Sequence, residues 1–78
     1  MNVISAVNHR GIRIIGVGEG IEACESASAG INRADRLEPI EKENLALALF
    51  TLGFLEETQG LPDLPARVET EHWNITIR

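Results

Sequence analysis

The stretch GIRIIGVGEGIEACESA, Gly11–Ala27, carries a β-branched segment through three closely spaced glycines into a helix-like pattern. Two folds part at this point. If GVGEG grips a phosphate, the chain opens a parallel, nucleotide-binding α/β unit; if it is a bend, the preceding strand belongs to an antiparallel hairpin. A dinucleotide loop requires a strand, G-x-G-x-x-G, a helix and a second parallel strand with an acid roughly 20 residues on. Gly16, Gly18 and Gly20 give G-x-G-x-G instead. Asp35 stands at a suitable distance, but no strand pattern lies between Glu22 and Asp35 to carry it. Glu19 would also put a carboxylate where phosphate oxygens belong, and the lysine–hydroxyl pair of a Walker loop is missing. The glycines therefore read as a strand-to-helix bend that exploits glycine's tolerance of positive φ.

Toward the N-terminus, residues 2–17 read as a β-hairpin. Val3, Ile4, Val7, Ile12, Ile14, Ile15 and Val17 favour extended backbone. Asn8 suits the first position of a type I turn, and Gly11 the left-handed residue that follows it. Pairing Asn8 with Ile12 puts Ile4, Ala6, Ile12 and Ile14 on one face; Val3, Val7, Ile15 and Val17 share the other with Ser5 and Arg13. One face should meet helices, and the second is half-covered or meets a partner.

Toward the C-terminus, Ile21, Cys24, Ala27, Ile31 and Ala34 recur at helical spacing, predicting a first helix over 21–35 that is short or broken near Gly30. A second helix is predicted over 39–58. Pro39 fits a first-turn position, Glu38, Glu41 and Glu43 lie near the positive end of the dipole, and Gly60 with LPDLP is a stop. Leu45, Ala48, Leu49, Leu52 and Leu55 form one apolar stripe; Leu47, Phe50 and Phe54 form another on nearly the opposite side. A helix apolar on two sides is normally buried between layers. GLPDLPA reads as a stiff connector, and residues 66–77 as a C-terminal strand in which Trp73, Ile75 and Ile77 alternate with polar positions. The order β-β-α-α-β predicts one α+β domain over 1–78, a two-layer sandwich whose three-stranded, largely antiparallel sheet packs on two helices.

Composition narrows the function classes. With 44% apolar and 24% charged residues, the chain is expected to fold. One cysteine cannot form an internal disulfide or a multi-cysteine zinc site, and it suits a reducing cytoplasm. The longest apolar run, Leu45–Leu55, is too short for a bilayer, and MNVISAVNHRG lacks the pattern of a secretory signal. The net charge is −5, and beyond residue 36 only Lys42, Arg67 and Arg78 stand against eight acids. Direct nucleic-acid binding and attachment to an anionic membrane both need a basic footprint that is missing.

Candidate catalytic groups are sparse. His9 and His72, with Glu69 or Glu71 nearby in sequence, could exchange protons, but read more simply as surface histidines. Cys24 lies on the apolar stripe of the first helix and reads as a core filler. Glu56–Glu57 and Glu69 with Glu71 lack the Asp/Asn/Gly loop that a calcium site uses; no metal or cofactor is expected. Glu56 and Glu57 stand at a helix C-terminus, where the dipole disfavours anions, which hints at use elsewhere. The expected function is a small acidic, non-enzymatic protein-interaction module in the cytoplasm. Glu56, Glu57, Asp63, Glu69 and Glu71 would form an acidic rim for a basic partner surface, around an apolar patch of Leu47, Phe50 and Phe54. An inhibitor or adaptor that offers carboxylates in place of phosphates, as anti-CRISPR proteins of bacterial viruses do, is a sharper version by class analogy alone. The alternative is a homo-oligomeric scaffold, such as a homodimer, that buries the phenylalanines or the second sheet face. No family motif is evident.

Overall fold

The Asn8–Gly11 segment closes the first hairpin as its residue types require. A computed structural model describes residues 1–59 and 67–78. Strand β1 (Asn2–Asn8) pairs antiparallel with β2 (Arg13–Gly18). The Gly11 N–H donates to the Asn8 carbonyl at 3.0 Å, and Gly11 takes φ 86°. The Asn8 N–H donates to the Ile12 carbonyl, also at 3.0 Å, so Asn8 opposes Ile12 as the pattern predicts. Ile4, Ala6 and Ile14 are accordingly buried, whereas Ile15 and Val17 face outward.

The C-terminal segment departs from the prediction. Residues 66–77 are not one strand, and the sheet has four strands rather than three. Strand β3 (Arg67–Glu69) turns back on β4 (Trp73–Ile77), and the sheet order is β2-β1-β4-β3 with every pair antiparallel. Thr70 makes the turn. Its N–H donates to the Trp73 carbonyl at 2.8 Å, and its hydroxyl accepts the Trp73 N–H at 3.0 Å, leaving Glu71 and His72 as the loop. A side-chain hydroxyl thus performs the job that glycine or asparagine usually signals. The expected alternation of Trp73 and Ile75 does hold, and both are buried. The connector GLPDLPA and the stop at Gly60 lie outside the described residues.

Helices α1 (Ile21–Arg33) and α2 (Pro39–Gln59) cover one face of the sheet. Leu45, Leu49 and Leu52 of α2 join Ala23, Cys24, Ala27 and Ile31 of α1, Leu37 of the connection, and Ile4, Ala6, Ile14, Trp73 and Ile75 of the sheet in one core. Helix α1 stops at Arg33 rather than at residue 35, because Ala34 turns to extended backbone. It also runs unbroken through Gly30, where a Cβ would stand 3.2 Å from Ile14 Cγ2; the missing side chain lets the helix ride close to β2.

That closeness revises the reading of GVGEG. Only Gly20, at φ 54°, uses glycine's conformational freedom, as the residue that caps α1. Gly16 and Gly18 lie within β2, and a Cβ on Gly16 would fall 2.6 Å from the Ala27 nitrogen. They are glycines because helix backbone rests on strand backbone. No phosphate loop is built.

Among the described residues the second apolar stripe of α2 meets no layer, contrary to the expectation of cover on both sides. Leu47, Phe50 and Phe54 are 65%, 75% and 60% exposed. The outer sheet face, with Ile15 and Val17, is uncovered too. Among the described residues no helix is long and apolar enough to cross a membrane.

The helix-on-strand contact makes Gly16 the least replaceable glycine among the described residues. Gly16→Ala should cost about 3 kcal/mol or more through overpacking, measured by urea denaturation. Gly11→Ala, whose Cβ would meet nothing within 4 Å, should cost only about 1–2 kcal/mol from its left-handed backbone.

Candidate functional site

The first turn of α2 fixes how the helices sit on the sheet. Glu41 is only 3% exposed, yet ionised groups are costly to bury unless paired and hydrogen-bonded. It is both. Asn8 Nδ2 donates to Glu41 Oε2 at 2.8 Å, Arg10 Nε to the same oxygen at 3.1 Å, and Arg10 Nη2 to Oε1. The Glu38 N–H donates to Oε1 at 2.8 Å, half of a capping box at the helix start. The Glu41 carbonyl accepts Trp73 Nε1 at 2.9 Å. The Arg10 hydrogen bonds, followed by that from Glu38, hold the Glu41 carboxyl at about 2 against the opposing effect of burial. Both hairpin turns are therefore clamped to one residue. The sequence pattern identifies Glu41 only as a dipole partner and does not pair Asn8 or Arg10 with it.

Beyond this clamp, α1 and α2 enclose an open groove of about 570 Å³. Its floor is Ile21, Cys24, Leu49 and Gly53; Phe50 and Phe54 wall it on the α2 side. The α1 side is low because Ser28 and Ala29 are small. Gly53 helps in the same way, placing its backbone near Ile21, whose Cγ1 would lie 3.5 Å from a Cβ there. Glu25 of α1 and Glu57 of α2 stand on the rim. Leu47 is exposed on α2 but does not line the groove. Cys24 is buried in the floor, and burial, then Glu56 and Glu25, push its thiol pKa up. A protonated, buried thiol is a packing group and not a nucleophile.

Of the five carboxylates expected to form one rim, the four described are not all gathered there. Glu57 borders the groove. Glu56 instead lies beside the N-terminus of α1, its Oε1 3.0 Å from where a Gly20 Cβ would stand. An anion at the C-terminus of one helix thus sits at the favourable end of another, which gives Glu56 a use inside the fold. Glu69 and Glu71 line a separate recess of about 170 Å³ at the two hairpin turns. Asp63 lies outside the described residues. The separate recess also holds His9 and His72, whose ring centroids are 5.8 Å apart and tilted by 35°. Their convergence across 63 positions left no trace in the sequence. Among the described residues no hydrogen bond or ion pair joins either imidazole to a carboxylate, and no three histidine, cysteine or acidic side chains form a metal-holding group.

Compared with protein-family models, with curated proteins and with solved structures, the chain matches none. The geometry alone carries the reading of function.

The Glu41 clamp has a defined acid signature. Its folded pKa of about 2 lies below the ordinary 4.5, so its contribution to stability is complete above roughly pH 4.5 and is lost as pH falls through about 2. Urea titrations should show this loss between those limits. Glu41→Gln should be markedly less stable at pH 7, because an amide turns an N–H toward donors, and should show a flatter decline across that window. An acid limb of equal steepness in both proteins would contradict the assignment.

Proposed function

We propose that the chain is a small non-enzymatic interaction module whose α1–α2 groove receives an amphipathic, basic helix of another protein. The observation that carries this reading is the pair Phe50 and Phe54, three-quarters and three-fifths exposed along the wall of the groove. Isolated exposed apolar residues need no explanation, but an apolar patch with a polar rim is the usual form of a docking site. Two helices flanking a trough suit a third helix that lays its apolar stripe between them. Glu25 and Glu57 on the rim, and a net charge of −5, favour lysine and arginine beside that stripe. The lone buried thiol fits a reducing cytoplasm, where this reading places the protein. The inhibitor version, with carboxylates standing in for a phosphate backbone, draws no support from acids divided between the groove, the α1 N-terminus and the hairpin turns.

The bare outer sheet face favours a second reading, in which another copy of the chain packs on Ile15 and Val17 to form a homodimer. The two readings use different faces and separate cleanly. A labelled helical peptide of leucine and lysine should bind the chain, with a matched leucine–glutamate peptide as control. Binding should weaken with salt and be lost in Phe50→Ser/Phe54→Ser, whose stability should change by no more than about 0.5 kcal/mol per site, as for exposed positions. Equal binding of both peptides, or full binding by the double variant, would reject the groove. Sedimentation that shows a dimer dissolved by Ile15→Lys, and unaffected by the phenylalanine changes, would select the sheet face instead.

A further inference from the structure

The recess between the two hairpin turns contains both histidines of the chain. His9 sits in the β1–β2 turn between Asn8 and Arg10, whose side chains both hydrogen-bond the Glu41 carboxylate. His72 sits in the β3–β4 turn immediately before Trp73, whose indole donates to the Glu41 carbonyl. A second tie comes from the Thr70 hydroxyl, which donates to Asn44 Oδ1 of α2 at 2.7 Å. Both turns are thus fixed to the same stretch of α2, so the fold sets the separation of the two backbone positions that carry the imidazoles. Holding two ligands at a set distance removes much of the ordering cost of chelation.

That distance matches a particular chemistry. An imidazole nitrogen binds a zinc-like ion at about 2.0 Å and lies roughly 1.1 Å from its own ring centre, so two rings on one tetrahedral ion have centroids about 5.1 Å apart. The observed 5.8 Å requires an approach of roughly 0.7 Å, within reach of side-chain rotation at a solvent-facing turn. The separation and tilt are also those of an ordinary aromatic pair, which the zinc titration below distinguishes from a metal site. Glu69 and Glu71 line the same recess. Their charge raises the local concentration of cations, although the Arg67 guanidinium, 3.5 Å from Glu69, offsets part of it.

We propose that His9 and His72 form an open, two-imidazole site for a divalent transition-metal ion, with water in the remaining positions. Imidazole selects such ions over magnesium and calcium, which prefer oxygen ligands. The site is independent of the groove: the two recesses share no lining residue.

The probe is zinc chloride, titrated into the full chain by calorimetry while side-chain ¹H–¹⁵N spectra follow the imidazole nitrogens. One zinc should bind per chain, with shifts confined to His9 and His72 and a rise in thermal midpoint. His9→Asn and His72→Asn should each weaken binding by roughly tenfold or more, since each removes one of two ligands. Magnesium at the same concentration should leave the imidazole signals unmoved. Neither histidine hydrogen-bonds Glu41, whose partners are Asn8, Arg10, Glu38 and Trp73, so circular dichroism of both variants should match the parent. Zinc binding of equal strength in the parent and both variants would mean adventitious carboxylate binding and would overturn the site. Imidazole signals that stay fixed under excess zinc would do the same.

Discussion

One buried carboxylate organises this molecule. Glu41 stands at the start of α2, under the sheet's two turns, and its oxygens accept from Asn8, Arg10 and the Glu38 N–H while its carbonyl accepts from Trp73. Removing such a charge from water is expensive, and the usual outcome of replacing a buried ion pair by apolar groups is little loss or a gain. The value of the arrangement therefore lies in specification. An apolar contact between α2 and the sheet could slide by a turn with little penalty, but a carboxylate with four donors on it cannot. Arg10 adds a further tether, since Nη2 also donates to the Arg36 carbonyl at 2.8 Å, binding the helix–helix connection to the same point.

At the other end of the sandwich the constraint is steric rather than polar. Gly16, Gly18 and Gly30 remove side chains where α1 crosses β2, and Ala23 and Ala27 meet them with the smallest available groups. Helix α1 consequently lies low on the sheet, and its small residues leave the trough beside α2 shallow on one side. The apolar stripe of Leu45, Leu49 and Leu52 is used up in the core. Among the described residues nothing covers the opposite stripe. The described residues bury a single core, and it takes only one of the two apolar faces of α2.

The first hairpin was legible because its turn chemistry is explicit: asparagine, two variable residues and glycine fix both loop length and register. The helices were legible from spacing and from Pro39. The second hairpin was not, because Thr70 replaces the expected glycine or asparagine with its own hydroxyl, and a segment reading ETEHWN shows no break. The glycines of β2 were placed in the right segment for an incomplete reason, since close approach of another backbone cannot be distinguished from a need for positive φ in a single sequence. The candidate sites were read least well. Exposed phenylalanines look like core ones in a helical pattern, and the meeting of Asn8 and Arg10 with Glu41, or of His9 with His72, depends on the strand order β2-β1-β4-β3. That order brings the two hairpin turns together at one end, and no local pattern records it.

The two bare faces are not equivalent, and the difference decides which one carries the proposed function. On the sheet, Val3 and Val7 are half-covered by their neighbours across the strands, and Arg13 and Arg78 sit among them in a shallow recess. Long cationic side chains lay their methylenes over apolar surface while keeping their heads in water, so this face tolerates solvent as it stands. Among the described residues the groove has no such cover. Its wall is two aromatic rings that bring a large apolar area into water, its opposite bank is too low to shield them, and the charges nearby are short carboxylates on the rim. Burying those rings under a third helix would recover the apolar area that the described core leaves exposed, with the acidic rim rejecting acidic helices and admitting basic ones.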